Sequence, residues 1–426
     1  MKPSGIEWIG DIPDDWEVTK ISRLYSIQLG KMLQPEKKSS GDTYEPYICA
    51  ANLSSGTFRL DEVKYMWISE PEKDIYRLKR DDLLVTEGGD VGISSIWKDD
   101  ISPCYFQNAL HRVVPKKGNS NRFLHYWLIV LKSVGYIDLI CNKSTIAHFT
   151  KEKFAQSLIL SIPLQTQQRI ADYLDEKCGE IDATIAKQKE IIEKLKAYKQ
   201  SLISETVTKG LDKSAPLKPS GIDYLGDIPS HWEIKKLKYV AKLDPTISEF
   251  LSDNDIVSFA PMECLGEQTL SPYETEYGKV KGKYTYFANE DIIMAKVTPC
   301  FENGNIAIAK NLKNNVGFGS SELFVFRTKS VSNSFLMYTL YSEPFKSLAK
   351  STMYGTGGLK RVSPNFILNY KIPLPPLKAQ ESIADYLDSK CSQIDKYITE
   401  KQNIIQKLDA YKKSLIFECV TGKKRI

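Results

Sequence analysis

Apolar residues recur every three or four positions along two long segments of the chain, residues 166–210 and 379–421. This spacing places them on one face of an α-helix, and neither segment contains a proline. We therefore predict two long helices, each with an apolar seam of the coiled-coil kind. Two such helices in one chain favour antiparallel packing against each other, with an intermolecular coiled coil as the alternative. The predicted packing positions are Leu174, Ile181, Ile185, Ile192, Leu195 and Leu202 in the first helix, and Leu387, Ile394, Ile398, Ile405, Leu408 and Leu415 in the second.

The two predicted helices are copies of each other. Residues 170–203 return at 383–416, a shift of 213, with 21 of the 34 positions identical. A second repeated block, residues 2–21, returns at 218–237 with a shift of 216. The long stretches between these blocks hardly resemble each other. A repeat of this length indicates a duplicated domain, because solenoid repeats run about 20–50 residues.

Both variable stretches show alternating apolar residues and turn signals, followed by an amphipathic helix. We predict a mixed α/β (α+β) fold in which two diverged copies of one domain are separated by the long helices, with an internal pseudo-twofold duplication. In this alignment the segment from Asp81 to Thr86 matches the segment from Asp291 to Lys296. The predicted strands lie near 44–50, 56–60, 83–87, 91–97 and 110–114, then near 256–260, 284–287, 291–296, 305–309 and 322–327, with helices at 121–133 and 332–350. The predicted segments are 1–165 and 214–378 for the variable domains, and 166–213 and 379–426 for the helices.

Composition fits ordinary globular domains, since 42% of the 426 residues are hydrophobic. No stretch of about 18 apolar residues is present, and the N-terminus lacks the apolar run of a signal peptide. We therefore expect a cytoplasmic protein. The eight cysteines show no short metal-type spacing, which favours buried thiols in a reducing compartment.

Net charge is only +5, yet each variable stretch contains one tract without acidic residues, 101–137 and 344–380. A solvated charged face and an anionic partner are both consistent with such tracts. Polar loops follow at 142–148 and 354–361, with amide, hydroxyl and basic side chains suited to phosphates and base edges. The candidate nucleic-acid contacts are Gln107, Asn108, Arg112, Lys116, Lys143, Ser144, Thr145, His148, Lys296, Thr356, Lys360 and Arg361.

Motifs of common enzymes are missing from the chain. No phosphate-binding loop, nucleophile elbow or HExxH zinc motif occurs. Residues 363–366 lack the second proline of an amino-methyltransferase motif, and the nuclease-like Asp175-Glu176-Lys177 falls on a predicted helix. We therefore predict a chain without a catalytic centre and without a metal site of its own.

Two repeated blocks carry a family resemblance that covers essentially the whole chain. The pair WIGDIPDDW and YLGDIPSHW, and the two segments around IADYLD, resemble the specificity (S) subunit of type I restriction-modification enzymes. The first copy departs from the second where it has SIPLQTQ in place of PLPPLKAQ, which we expect to alter only the entry into the helix.

That resemblance implies a non-catalytic DNA-specificity subunit. Its two target-recognition domains would each bind one half of a split, asymmetric DNA target, and its helices would set the spacing. Two methyltransferase (M) subunits would dock on the helices, with restriction (R) subunits joining in the full complex. SAM, ATP and Mg would belong to those partners rather than to this chain. The alternatives are a self-sufficient restriction or modification enzyme, and a coiled-coil adaptor without DNA binding.

Overall fold

The chain folds into two compact units. Unit 1 comprises Met1–Gln188 and Gln402–Ile426, and unit 2 comprises Lys189–Lys401. These units do not follow the four predicted segments, because each unit combines one variable domain with part of both long helices. The computed structural model describes residues 1–141, 147–247, 251–356 and 358–426.

The elements of unit 1 follow the predicted order of short strands, a helix and then the long helix. In chain order they are β1 (Lys2–Pro3), β2 (Asp11–Ile12), β3 (Glu17–Lys20), α1 (Ile21–Leu24), β4 (Tyr25–Leu29), β5 (Thr43–Ile48), β6 (Leu53–Ser54), β7 (Thr57–Phe58), β8 (Lys64–Ile68), α2 (Glu70–Tyr76), β9 (Leu83–Thr86), β10 (Ser94–Ile96), β11 (Tyr105–Phe106), β12 (Leu110–Pro115), α3 (Asn121–Ser133), α4 (Tyr136–Ile140), α5 (Lys151–Gln156), β13 (Leu158–Ser161) and α6 (Leu164–Lys209), of which α6 continues into unit 2.

Unit 2 follows a broadly similar order that differs in the number and length of its strands. Its elements are β14 (Leu217–Pro219), β15 (Asp227–Pro229), β16 (Glu233–Lys236), α7 (Leu237–Val240), β17 (Ala241–Leu243), β18 (Ile256–Ala260), β19 (Tyr273–Glu276), α8 (Tyr277–Val280), β20 (Thr285–Ala288), β21 (Ile292–Ala295), β22 (Ile306–Ile308), β23 (Val316–Gly319), β24 (Leu323–Thr328), α9 (Asn333–Tyr341), α10 (Glu343–Ser351), α11 (Pro364–Asn369), β25 (Lys371–Leu374) and α12 (Leu377–Val420), of which α12 ends in unit 1.

A four-stranded sheet of the same topology forms the base of each variable domain. The strand order is β10-β9-β12-β4 in unit 1 and β17-β24-β21-β22 in unit 2. Every residue of β9 and of β21 is buried, as expected for a strand covered on both faces. A second sheet completes each domain, with three strands (β11-β5-β8) in unit 1 and four (β19-β18-β23-β20) in unit 2. In each unit a strand of the first repeated block pairs with the short strand just before the long helix, β3 antiparallel with β13 and β16 antiparallel with β25.

The helix predicted at 332–350 is broken in two. Ser342 adopts an extended conformation between α9 and α10, and Pro344 follows it in the first turn of α10. Proline cannot donate a backbone hydrogen bond and its ring clashes with the preceding turn, so one continuous helix is not possible there. The helix predicted at 121–133 is confirmed as α3.

The long helices α6 and α12 form as predicted, each beginning two residues earlier than the pattern indicated. Of the twelve predicted packing positions, seven are buried and the other five, Leu195, Leu202, Ile398, Ile405 and Leu408, are half-buried. Within unit 1 the helices run antiparallel, since Lys424 lies over the ring of Tyr173 while Lys412 pairs with Asp182.

One lysine of each long helix forms an ion pair with an aspartate of the other helix, which the apolar spacing alone did not indicate. In unit 1, Lys412 Nζ lies 2.6 Å from Asp182. In unit 2, Lys199 Nζ lies 2.9 Å from Asp395, and Lys199 is almost completely buried. The shift of 213 maps each pair onto the other, because Asp182 corresponds to Asp395 and Lys199 to Lys412. The duplication therefore extends to side-chain contacts.

A second repeated contact attaches each variable domain to the helices. The hydroxyl of Tyr126 donates to Asp175 at 2.6 Å in unit 1, and that of Tyr338 donates to Asp388 at 2.6 Å in unit 2. Arg122 also pairs with Asp175, so this carboxylate of the nuclease-like triplet serves as an anchor for the domain.

Candidate nucleic-acid interface

One end of the four-stranded sheet collects three of the predicted contacts of unit 1. Glu87, which follows β9, donates its N–H to the carbonyl of Ala109 at 2.9 Å and accepts from the N–H of Phe149 at 2.8 Å. These bonds place His148, which precedes Phe149, and the residues Gln107 and Asn108, which precede Ala109, at the same end of the sheet. A Cβ on Gly88 would lie 3.9 Å from the imidazole of His148, so this ring rests against the loop after β9. We call Glu87, Gln107, Asn108, Ala109 and His148 the unit 1 edge.

The same end of the sheet in unit 2 collects all four predicted contacts of that domain. Lys296 donates its N–H to the carbonyl of Glu322 and accepts from the N–H of Val362, both at 2.9 Å. Thr298 accepts from the N–H of Lys360 at 3.0 Å through its hydroxyl and donates its own N–H to the carbonyl of Lys360 at 2.9 Å. The unit 2 edge therefore consists of Lys296, Thr298, Glu322, Lys360 and Arg361, with the exposed Thr356 in the same loop.

These backbone bonds define which residues of the two edges are equivalent. Glu87 corresponds to Lys296, Ala109 to Glu322, and His148 to Arg361. Strand register agrees, because Thr86 pairs with Leu110 as Ala295 pairs with Leu323.

The predicted match of Asp81 with Asp291 is wrong by one residue. The structural partner of Asp291 is Asp82, and the residues before them, Asp81 and Glu290, both have a positive φ, 70° and 67°. Two acidic residues in a row left the alignment by pattern ambiguous.

Cations and one carboxylate dominate the unit 2 edge. Arg361 donates from Nε and Nη2 to Glu322 at 2.9 and 2.7 Å. This hydrogen bond and the charge of Arg361 hold the pKa of Glu322 below its usual range, against the opposing effect of partial burial. Lys296 Nζ lies 5.5 Å from the ring centre of Phe324, and Lys360 is exposed. The edge can therefore offer several hydrogen-bond donors to an anion or a base acceptor.

The unit 1 edge has a different chemistry. Partial burial raises the pKa of the Glu87 carboxyl, and the nearby His148 opposes that shift. Gln107 and Asn108 contribute amides, which both donate and accept. Equivalent positions of the two domains thus present different hydrogen-bonding groups.

Two predicted contacts lie away from the edge. The side chain of Arg112 is only 12% exposed, donates from Nη1 to the carbonyl of Arg77 at 2.7 Å and lies 3.8 Å from Asp82. Lys116 donates to the carbonyl of Ser22 at 2.6 Å at the far end of β12. Arg112 therefore supports the sheet, and its contact with nucleic acid stays a prediction. Lys143, Ser144 and Thr145 lie outside the described residues.

Sequence reasoning missed Glu87 and Glu322, because acidic residues do not suggest contact with an anion. Their position in the sequence could have identified them, because each lies at the end of a strand that is close to a predicted basic or amide contact. In residues 1–141, 147–247, 251–356 and 358–426, no three His, Cys, Asp or Glu side chains come together as a possible metal site. The helices of that part of the chain include none that is long and apolar enough to cross a membrane.

Comparison with known proteins identifies the family. A family model described as "Type I restriction modification DNA specificity domain" matches residues 13–197 and 229–410. The chain belongs to this family. The two matches cover the two variable domains with most of both helices, so the duplication in the sequence is a duplication of the family's domain.

Curated relatives in the family are specificity subunits. The type I restriction enzyme EcoAI specificity subunit of Escherichia coli is 34% identical over 268 residues, which cover 61% of this chain and 42% of that protein. The chain therefore matches less than half the length of that relative. The type I restriction enzyme MjaVIII specificity subunit of Methanocaldococcus jannaschii is 25% identical over 435 residues, covering 97% of this chain and 94% of that protein.

Solved structures share the fold of this chain. A chain described under "Structural basis underlying complex assembly and conformational transition of the type I R-M system" superposes with a TM-score of 0.71 at 16% identity, covering 97% of this chain and all of that one. The HsdS subunit from Thermoanaerobacter tengcongensis gives a TM-score of 0.53 at 15% identity, over 97% of this chain and 98% of that one.

Proposed function

We propose that this chain is the DNA-recognition subunit of a type I restriction-modification complex, in which each unit binds one half of a bipartite, asymmetric target. The observation that carries the proposal is the pair of equivalent edges: one backbone arrangement holds unlike side chains at the same positions. The same backbone arrangement with different side chains suits two recognition sites that work in the same way but bind different DNA sequences. Two weak half-site contacts in one chain also gain affinity through effective concentration.

The repeated parts of the chain suit two copies of one partner. Tyr198 and Tyr411 are equivalent positions on the long helices, and their side chains are 58% and 55% exposed. Leu164 and Leu377, at the two helix starts, are also equivalent and exposed. We propose that two methyltransferase subunits dock on such repeated surfaces, with restriction subunits in the full complex.

Catalysis belongs to the partners in this proposal. SAM, ATP and Mg would be bound by the methyltransferase and restriction subunits, and this chain would act in the cytoplasm without a catalytic centre. This division of roles is supported by the contacts of three charged residues that could otherwise suggest catalysis. Asp175 anchors a variable domain to the helices, and Lys199 and Lys412 form ion pairs between the helices.

A binding measurement on the complex of this chain with its methyltransferase partner tests the proposal. Lys360→Ala with Arg361→Ala removes two cations from the unit 2 edge. We expect roughly 10- to 100-fold weaker binding to target DNA at moderate salt, and a smaller slope of log affinity against log salt. The matched control is Lys310→Ala with Lys329→Ala, which removes two exposed cations from the opposite end of the same sheet. Equal affinities for both double variants would refute the location of the interface.

A further inference from the structure

Arg361 is held by Glu322 in a way that leaves part of its guanidinium for another partner. Nε and Nη2 point at the carboxylate, with Nε 2.9 Å from Oε2 and Nη2 2.7 Å from Oε1. This contact uses one hydrogen on each of those nitrogens, and an arginine side chain has five N–H donors. Within the described chain, both hydrogens of Nη1 and the second hydrogen of Nη2 have no acceptor. Two of these unused donors, one on Nη1 and one on Nη2, lie side by side on the end of the group.

The ion pair is poorly placed to act as a structural bond. The side chains of Arg361 and Glu322 are 38% and 28% exposed, and pairs of that kind contribute little to folding stability because water screens them. The same pair restricts the rotation of a long side chain. Restricting a side chain before binding removes part of the entropy that a contact would otherwise lose.

The edge of unit 1 has no such arrangement. The position of Glu322 is taken by Ala109, and that of Arg361 by His148. Glu87 stands where unit 2 has Lys296, so the equivalent site of unit 1 presents an acceptor in place of a donor. The Arg361–Glu322 pair thus occurs in only one of the two duplicated domains, at the edge where their side chains differ. This distribution points to a role in specificity rather than in folding.

We infer that Arg361, oriented by Glu322, donates two hydrogen bonds to the O6 and N7 atoms of a guanine in the half-site bound by unit 2. Paired donors on the end of a guanidinium match these two acceptors in the major groove, and no other base presents two acceptors there. Glu322 is the positioning residue of this contact. The inference rests on the proposed function and adds to it a base and the pair of residues that selects it.

Sequencing of DNA methylated by the complete complex tests the inference in cells. The wild-type chain should direct methylation to a bipartite motif with a required guanine in one half. Arg361→Ala should relax that position alone, with discrimination against other bases falling between about fivefold and about 150-fold. Glu322→Gln, which keeps the size of the side chain but removes its charge, should relax the same position to a smaller extent. Lys360→Ala should lower methylation without changing the motif.

A second measurement covers the case in which Arg361→Ala methylates too little DNA to define a motif. The wild-type complex should bind a duplex with 7-deazaguanine at the required position more weakly than the unmodified duplex, because the N7 acceptor is gone. The Arg361→Ala complex should bind both duplexes equally.

Three results would overturn the inference: a motif unchanged by Arg361→Ala, relaxation at a position other than a guanine, or an equal effect of 7-deazaguanine on both complexes. A wild-type complex that directs no sequence-specific methylation would instead refute the proposed function itself.

Discussion

The two interhelical lysines provide a matched test of how burial controls the strength of an ion pair. Lys199 and Lys412 occupy equivalent positions of the repeat and pair with equivalent aspartates. The side chain of Lys199 is 6% exposed and also lies 3.2 Å from Glu267, whereas that of Lys412 is 25% exposed. Substitution by methionine keeps most of the apolar stem and removes the charge.

The expected magnitudes follow from these exposures. Removing one partner of a fully buried pair costs about 3–5 kcal/mol, and an exposed pair is worth about 0.2–1 kcal/mol. In Lys199→Met the remaining carboxylates of Asp395 and Glu267 are about half exposed and regain water, so we expect a loss of about 2 kcal/mol. For Lys412→Met we expect about 0.5 kcal/mol.

Hydrogen exchange of the full chain measures the two effects separately, because each lysine stabilises a different part of α12. Amides near Asp395 should exchange roughly 30-fold faster in Lys199→Met, since about 1.4 kcal/mol corresponds to a factor of ten. Amides of α12 near residue 412 should exchange only about twofold faster in Lys412→Met. Equal acceleration at the two sites would refute the argument that burial of the lysine sets the strength of the pair.

Three further predictions concern other contacts of the fold. Burial lowers the pKa of His125 to about 4, so unfolding takes up a proton below about pH 6.5 and unit 1 should lose about 2 kcal/mol of stability between pH 7 and pH 5. Chemical denaturation of His125→Gln should not show this loss, and an equal loss in both proteins would contradict the prediction. A Cβ on Gly30 would lie 2.2 Å from the carbonyl oxygen of Gln107, so Gly30→Ala should displace the unit 1 edge and cost about 1–3 kcal/mol, which an unchanged melting temperature would contradict. Tyr338→Phe removes a hydrogen bond to the charged Asp388 and should cost about 1.5–3 kcal/mol by chemical denaturation, whereas a loss below about 0.5 kcal/mol would show that water replaces the bond.

The long helices were predictable because their evidence is repeated many times over. Six apolar positions at helical spacing, each copied 213 residues later, fix the register of α6 and α12. The break between α9 and α10 was less visible, since a single Pro344 interrupts an otherwise helical pattern.

Sequence tracts without acidic residues were poor predictors of basic surfaces in the folded chain. The tract 101–137 contains no acid, yet Arg112 lies near Asp82, Arg122 pairs with Asp175, and Lys132 pairs with an aspartate outside the tract. Partners from distant parts of the chain cannot be inferred from local composition. Positions at strand ends were better guides, because the sheet topology places them at one edge whatever their charge. Gln107 and His148 lie at the same edge although 40 residues separate them in the sequence.

The central claim is that each unit recognises one half of the target independently. Sequencing of methylated DNA from complexes with altered edges tests it most directly, with Gln107→Ala plus Asn108→Ala in one chain and Lys360→Ala plus Arg361→Ala in another. We predict that the first variant relaxes or weakens selection in one half-site, the second does so in the other half-site, and the spacing between the halves stays the same. Variants that both alter the same half-site, or that each alter both, would contradict the account.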